Sequence, residues 1–142
     1  MNSGIGRDKF IPHGTFSIER QGQLLLVDAT GPFNHELISQ LSDDLSEHEQ
    51  ALHHRPWVEL AVMRCESAYT PEALNDLLTS MQRRHHNNMR AIAIQFEQPQ
   101  SRLLTEHQLT SVLSKIAGLR FQFFDELEIA MDWCHACLGE YR

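Results

Sequence analysis

The sequence predicts an α/β fold in which an open, mostly parallel sheet of about five strands carries four main helices. Two observations lead to this prediction. Short apolar segments of strand length alternate with longer segments whose apolar residues recur every three or four positions. The 142 residues, 42% of them hydrophobic, are also enough to enclose one core. The predicted order is β-β-α-β-α-β-α-β-α, in which helices connect parallel strands and the first hairpin adds one antiparallel strand.

Five segments have the strand pattern. Residues 15–18 alternate apolar and polar side chains, as in a strand with one buried face. A turn at Gln21-Gly22 follows, and residues 24–27 form a continuous apolar run typical of a buried strand. The three remaining strand candidates are residues 57–63, 90–96 and 120–124.

Four helices are predicted from apolar spacing and from capping residues at their starts. Each predicted N-cap is a polar residue that follows an apolar one, and the apolar residue packs against the fourth helical position. The apolar residue, the cap and the fourth helical residue are Phe33, Asn34 and Ile38; Tyr69, Thr70 and Leu74; Leu104, Thr105 and Leu109; and Phe124, Asp125 and Ile129. Gln108 and Glu128 complete capping boxes in the last two helices. Pro71 suits the first position of its helix, and Gly118 is expected to end the third helix in a left-handed conformation.

Composition limits the classes of function. The net charge is -7, and the only basic cluster, residues 83–86, is too small for a nucleic-acid surface, so no nucleic acid is expected as a partner. No apolar run approaches the ~20 residues that cross a bilayer, and three cysteines do not suggest a secreted disulfide framework. We expect a flexible N-terminal leader over residues 1–12, one domain over residues 13–142, no transmembrane segment and a cytoplasmic location.

Catalytic and metal-binding patterns are weak in this chain. Cys134 and Cys137 form a CxxC motif, but in the last turns of a helix, where the helix dipole opposes a thiolate. Packing is therefore their expected role, and thiol-disulfide exchange is the alternative. The His53-His54 and His85-His86 pairs are expected to be solvated, and no glycine-rich phosphate loop or nucleophile elbow occurs. The sequence predicts no catalytic residues, no metal site and no cofactor.

Binding is expected at the loops beyond the carboxyl ends of the strands, which are residues 31–34, 64–70 and 97–102. The loop 64–70 leads into the second helix, whose free N–H groups suit an acidic partner group or a phosphate. Glu66 and Ser67 are expected to be exposed there. In the alternative interpretation the loop is scaffold, with Tyr69 and Thr70 serving only the helix start.

The last helix is apolar over a wide arc. Either it is buried on two sides, or Trp133 belongs to a patch that contacts a partner or a ligand. The complete predicted binding surface consists of Phe33, Asn34, Cys65, Glu66, Ser67, Tyr69, Thr70 and Trp133.

The element order, together with the turn Gly31-Pro32-Phe33-Asn34, resembles the STAS domain, and more narrowly the small bacterial SpoIIAA-like (STAS/CRAL-TRIO-like) proteins. The resemblance covers about residues 13–142. It implies a non-enzymatic regulatory or protein-interaction module with a protein partner or a homodimer. STAS regulators carry a phosphorylatable Asp-Ser-Ser/Thr-Gly-like stretch, whereas residues 66–71 here have no Asp-Ser pair and no glycine. The CRAL-TRIO side of the resemblance implies an alternative role as carrier of a small apolar ligand or lipid.

Overall fold

The computed structural model describes residues 14–141. The strands are β1 (Thr15–Gln21), β2 (Leu24–Thr30), β3 (Trp57–Arg64), β4 (Met89–Glu97) and β5 (Arg120–Phe124). The helices are α1 (His35–Leu52), α2 (Pro71–His86), α3 (Arg102–Leu113) and α4 (Leu127–Glu140). The predicted leader, residues 1–12, lies outside the described residues. None of the helices in the described range is long and apolar enough to cross a membrane.

The five strands lie side by side in chain order, β1-β2-β3-β4-β5. β1 pairs with β2 antiparallel through a turn at Gly22, whose φ of 60° suits glycine, and the other three pairings are parallel. The predicted fold class is therefore confirmed. Connections between adjacent parallel strands are right-handed, so α1, α2 and α3 all lie on one face of the sheet.

Two cores result from this arrangement. The main core lies between the sheet and α1, α2 and α3, and a second core lies between the sheet and α4. β3 and β4 are covered on both faces, which explains why they are almost continuously apolar. The second core combines larger apolar side chains of the sheet with small ones, which are Ala91, Ala93, Ala130, Cys134 and Cys137.

The predicted starts of the first two helices are confirmed. The Asn34 side-chain oxygen accepts a hydrogen bond from the Leu37 N–H at 2.9 Å. The Thr70 hydroxyl accepts one from the Ala73 N–H at 3.1 Å, and Pro71 is the first residue of α2. Both caps occupy helix N–H groups that would otherwise lack a partner.

The predicted boundaries of the last two helices are wrong. α3 begins at Arg102, one turn before the predicted cap Thr105, and Thr105 is buried inside the helix. α4 begins after Glu126, because the Asp125 carboxylate accepts a hydrogen bond from Arg102. α3 ends at Leu113, and Gly118, with φ 88°, lies in the turn before β5. Contacts between distant parts of the chain outweigh the local capping patterns here.

An ion pair is buried in the main core. Glu59 of β3 is 2% exposed and Arg84 of α2 is 1% exposed. The Arg84 Nη1 donates to Glu59 Oε1 at 2.7 Å, and its Nη2 donates to the Ser80 hydroxyl at 2.9 Å. The Arg84 guanidinium therefore ties α2 to the centre of the sheet.

A second polar cluster continues from this pair toward the solvent between α1 and α2. The Ser42 hydroxyl donates to the Ser80 hydroxyl at 3.3 Å and accepts from Arg83 at 3.0 Å. Arg83 also donates two hydrogen bonds to Glu49, at 3.1 and 2.7 Å. The two neighbouring arginines thus fix α2 against β3 on one side and against α1 on the other.

Loss of the Glu59 carboxylate should be strongly destabilising. We expect Glu59→Ala to lower the free energy of unfolding by about 3–5 kcal/mol, because the Arg84 guanidinium would stay buried without its partner. Replacing both groups, Glu59→Leu with Arg84→Met, should recover most of that loss. Urea denaturation measures both effects. The exposed Arg55→Ala serves as the control, and a Glu59→Ala loss no larger than that of the control would contradict the prediction.

Candidate functional site

The three loops predicted to carry the site meet at the carboxyl edge of the sheet. We call them the carboxyl-edge surface, defined as residues 31–34, 64–70 and 97–102. They follow β2, β3 and β4, which are parallel neighbours and therefore end at the same edge. Backbone hydrogen bonds join the loops to one another.

The first two loops pair like short strands. The Phe33 N–H donates to the Ala68 carbonyl at 3.0 Å, and the Thr70 N–H donates to the Phe33 carbonyl at 3.0 Å. The Phe33 and Tyr69 rings pack with centroids 4.8 Å apart. Gly31 permits this approach, since a Cβ there would lie 2.3 Å from the Glu66 carbonyl oxygen. The starts of α1 and α2 are consequently held side by side.

The second and third loops are joined in the same way. The Cys65 N–H donates to the Glu97 carbonyl at 3.0 Å, and the Gln100 N–H donates to the Cys65 carbonyl at 3.2 Å. Cys65 and Gln98 both adopt left-handed backbone conformations, with φ of 56° and 51°. Such a conformation is uncommon for residues other than glycine, so these hydrogen bonds hold the two strand ends in a particular shape.

Side chains complete the connections. Gln108 of α3 bonds the backbone of Tyr69 twice, accepting from its N–H and donating to its carbonyl, each at 3.0 Å. Glu66 accepts from the Ala68 N–H at 3.1 Å and from the Ser101 hydroxyl at 3.2 Å. Arg102 lies over the Phe96 ring, 4.8 Å from its centroid. The predicted capping box of Gln108 with Thr105 is wrong, because Thr105 lies inside α3 and Gln108 instead bonds a loop 39 positions away.

Two of the predicted surface residues are not at the surface. Ser67 is 0% exposed, so the expectation that it is accessible is wrong, and Phe33 is buried against Tyr69. Burial raises the pKa of the Tyr69 phenol, which therefore stays neutral. Glu66 is half-buried and hydrogen-bonded rather than freely exposed. Packing of Phe33 on Tyr69 and the hydrogen bonds of Glu66 hold the loop in place.

A groove between the starts of α1 and α2 adjoins the carboxyl-edge surface and is open to solvent. It is lined by Asn34, His35, Glu36, Thr70, Pro71 and Glu72. Glu36 and Glu72 are exposed in the first turns of α1 and α2. The expectation of an acidic group or phosphate at the start of α2 is not supported, because Pro71 lacks an N–H and Thr70 occupies those of Ala73 and Leu74. The two glutamates also already supply negative charge there.

His35 and Asp76 form an ion pair across this groove, linking the start of α1 to α2. The hydrogen bond and the charge of Asp76 raise the pKa of His35 above its ordinary value, and Glu72 and Glu36 add to the effect. A raised histidine pKa means that the folded state favours the protonated form.

Trp133 lies apart from the carboxyl-edge surface. It is half-buried, packing on Phe124 with ring centroids 5.7 Å apart, and the Arg120 guanidinium lies 5.7 Å from its ring centroid. It thus belongs to the side of α4 that faces β5. The structure brings Phe33, Asn34, Cys65, Glu66, Ser67, Tyr69 and Thr70 together and leaves Trp133 outside the group.

The CxxC cysteines face the sheet. Cys134 and Cys137 are buried in the second core, and burial raises the pKa of both thiols, that of Cys134 to about 12. The side chains therefore pack as small apolar groups. Among residues 14–141, no group of three or more His, Cys, Asp or Glu side chains is arranged to hold a metal ion.

Comparison with known proteins identifies the fold. No family model matches the sequence, and no curated protein matches it. An uncharacterized protein of the DUF3478 family with a SpoIIAA-like fold, from Shewanella loihica, is 24% identical, with a TM-score of 0.58 over 86% of this chain and 94% of that chain. An anti-sigma factor antagonist from Mycobacterium paratuberculosis is 12% identical, with a TM-score of 0.56 over 88% of this chain and 97% of that chain. The predicted resemblance is thereby confirmed for the fold.

The His35–Asp76 pair should make stability depend on pH. Because the His35 pKa is raised, its contribution is fully present below about 6.5 and is lost as pH rises through the raised value. The Asp76→Asn variant should therefore have a lower thermal midpoint than the parent protein. We expect this difference in thermal midpoint to be larger at about pH 5.5 than at about pH 8.5. Asp44→Asn, which removes an exposed carboxylate from α1, is the control, and an equal difference at both pH values contradicts the prediction.

The cysteines should differ in their reactivity. A thiol reagent near neutral pH should modify the half-buried Cys65 before Cys134 and Cys137, since burial keeps those two thiols protonated. All three should react in denaturant. The Cys65→Ser variant should show almost no reaction while folded, and rapid labelling of that folded variant would revive the hypothesis of thiol-disulfide exchange.

Proposed function

We propose that this SpoIIAA-like chain is a cytoplasmic, non-enzymatic regulatory module that binds a protein partner through its carboxyl-edge surface. The observation that carries the proposal is the groove between α1 and α2, whose exposed glutamates Glu36 and Glu72 lie in the first turns of the two helices, directly after the hydrogen-bonded loops. A surface that is already ordered loses little conformational freedom on binding. Residues 13–142 would act as one unit in this role.

The chemistry of the groove indicates the kind of partner. Glu36 and Glu72 are not paired with cations in the described structure, whereas His35 is paired with Asp76. The chain as a whole carries a net charge of -7. Opposite charge on a partner speeds association and fixes its orientation, so we propose a protein that presents lysine or arginine side chains to this groove.

The structural comparison supports a partner of regulatory type. One protein of similar fold is an anti-sigma factor antagonist. By analogy, we propose that the partner which this chain captures is a regulatory protein. Control by phosphorylation in the loop 64–70 is not part of the proposal. Ser67 is buried, and the Thr70 hydroxyl already accepts the capping hydrogen bond from the Ala73 N–H.

The interior gives no support to the alternative role as an apolar-ligand carrier. The cavity between the sheet and the first three helices measures about 30 Å³. A pocket for a small molecule has a volume of roughly 300–1,000 Å³, and one water needs only about 10–15 Å³. The apolar side chains behind α1, α2 and α3 therefore form a packed core.

The proposal is tested by removing the two charges of the groove. Affinity capture with the full chain as bait should recover a partner. The double variant Glu36→Gln with Glu72→Gln should not capture this partner under the same conditions. Titration of the purified partner should then show affinity reduced by about tenfold, a value that corresponds to 1.4 kcal/mol. Binding should also weaken as salt is added, since the charges are exposed.

The matched control is Asp44→Asn with Glu47→Gln, which removes the same charge from the exposed face of α1 away from the groove. This variant should keep the partner. If both variants lose the partner equally, net charge and not the groove explains the loss. If both variants keep the partner, the groove is not part of the interface. Reproducible turnover of a substrate by the purified chain would contradict the non-enzymatic part.

A further inference from the structure

The last strand of the sheet has an open edge. β5 pairs with β4 on one side, and no other strand in residues 14–141 pairs with it. No other described backbone group bonds to residues 120–124 from the outer side. An exposed strand edge offers a row of N–H and C=O groups that can pair with another strand.

The residues along this edge do not protect it. The segment Arg-Phe-Gln-Phe-Phe contains no proline, glycine or lysine, which are common in edge strands that avoid pairing. Phe121 and Phe123 are half-buried at the border of the main core. On the opposite face Ile129 of α4 is 52% exposed, one helical turn before Trp133 and on the same side of the helix. Apolar side chains therefore flank the open edge on both faces.

The other edge of the sheet differs. β1 carries the neighbouring charges Glu19 and Arg20, both exposed, and ends in an exposed glutamine. Charges on an edge strand disfavour pairing with another strand. β5 carries one charge, Arg120 at its first position, whereas β1 carries two neighbouring charges.

We propose that two copies of the chain associate by antiparallel pairing of β5 with β5, about a two-fold axis at Gln122. This axis is perpendicular to the sheet, so the face that carries α4 lies on the same side in both copies. Residues opposite each other must therefore have side chains on the same face of the sheet. Gln122 opposite Gln122 is the register that pairs all five residues of the strand. It places Phe121 of each copy opposite Phe123 of the other, and aromatic cross-strand pairs of this kind stabilise sheets.

The charges at the two ends of the strand are complementary in the same register. Arg120 begins the strand on the face that carries α4, where it lies near Trp133 and donates a hydrogen bond to Glu140 at 3.0 Å. Glu126 follows the strand on that face, is exposed, and caps α4 without a side-chain hydrogen bond. Pairing of residue 120 with residue 124 makes Arg120 of one copy a diagonal neighbour of Glu126 of the other. Two-fold symmetry forms this contact twice, and it favours a second copy as the occupant.

This interface is separate from the proposed partner groove. The groove lies between α1 and α2, whereas the open edge lies at β5 on the far side of the sheet. Failure of one proposal therefore leaves the other intact.

Charge exchange tests the interface. Sedimentation equilibrium of the full chain should show a dimer. Arg120→Glu should weaken it by about tenfold, because two attractive contacts become repulsive. Adding Glu126→Arg to that variant should restore the dimer, since the pair is re-formed with its signs exchanged. Within one chain Arg120 pairs with Glu140 and not with Glu126, so rescue by Glu126→Arg requires contact between copies.

Arg20→Glu at the β1 edge is the matched control and should not alter the dimer. A monomeric parent protein, absence of rescue in the double variant, or equal weakening by the control would each overturn the proposal. Thermal unfolding of every variant at a fixed concentration identifies any that fail to fold.

A cross-link tests the register independently. In the proposed pairing the two Gln122 Cα atoms lie about 4.5–5.5 Å apart, a separation that a disulfide spans. Gln122→Cys should therefore form a covalent dimer under mild oxidation, whereas Ser17→Cys on β1 and the parent protein should not. A dimer that forms without this cross-link would place the interface elsewhere and overturn the proposal.

Discussion

Right-handed connections between parallel strands determine where each helix and loop of this chain lies. The strands β2 to β5 are adjacent in chain order, so the three helices between them cover the same face of the sheet. α4 follows the last strand and covers the other face. The same constraint brings the loops after β2, β3 and β4 to one edge and leaves β5 at the border. The partner groove and the open edge are both consequences of this topology.

Buried polar groups determine how the helices sit on the sheet. A buried ion pair adds little net stability, because the cost of removing two charges from water offsets their attraction. The ion pair does disfavour arrangements in which only one of its two charges is buried. The position of α2 in which Arg84 reaches Glu59 is therefore favoured over other positions of the helix on the sheet. Arg83 then bonds α1 through Glu49. These contacts fix the last turns of both helices, whereas the hydrogen bonds of Phe33 with Ala68 and Thr70 hold their starts, between which the groove lies.

The sequence predicted the features that depend on near neighbours. The strand segments, the order of elements, and the caps Asn34 and Thr70 with Pro71 were all predicted. It did not predict the start of α3, because Thr105 has the composition of a cap but is buried against the main core. It placed Ser67 at the surface, because the close approach of the loop to Gly31 has no signature in the loop itself.

The sequence by itself determined the fold class, the position along the chain of the loops at the carboxyl edge of the sheet, and the packing role of Cys134 and Cys137. Periodicity and helix caps act over about four residues, so they can be recognised without knowledge of the rest of the molecule. The tertiary structure decided which polar side chains are buried, which loop residues are accessible and which strand edge stays open. These properties depend on partners 25 or more positions away, as for Glu59 and Arg84 or Tyr69 and Gln108, and such partners are known only once the sheet is assembled.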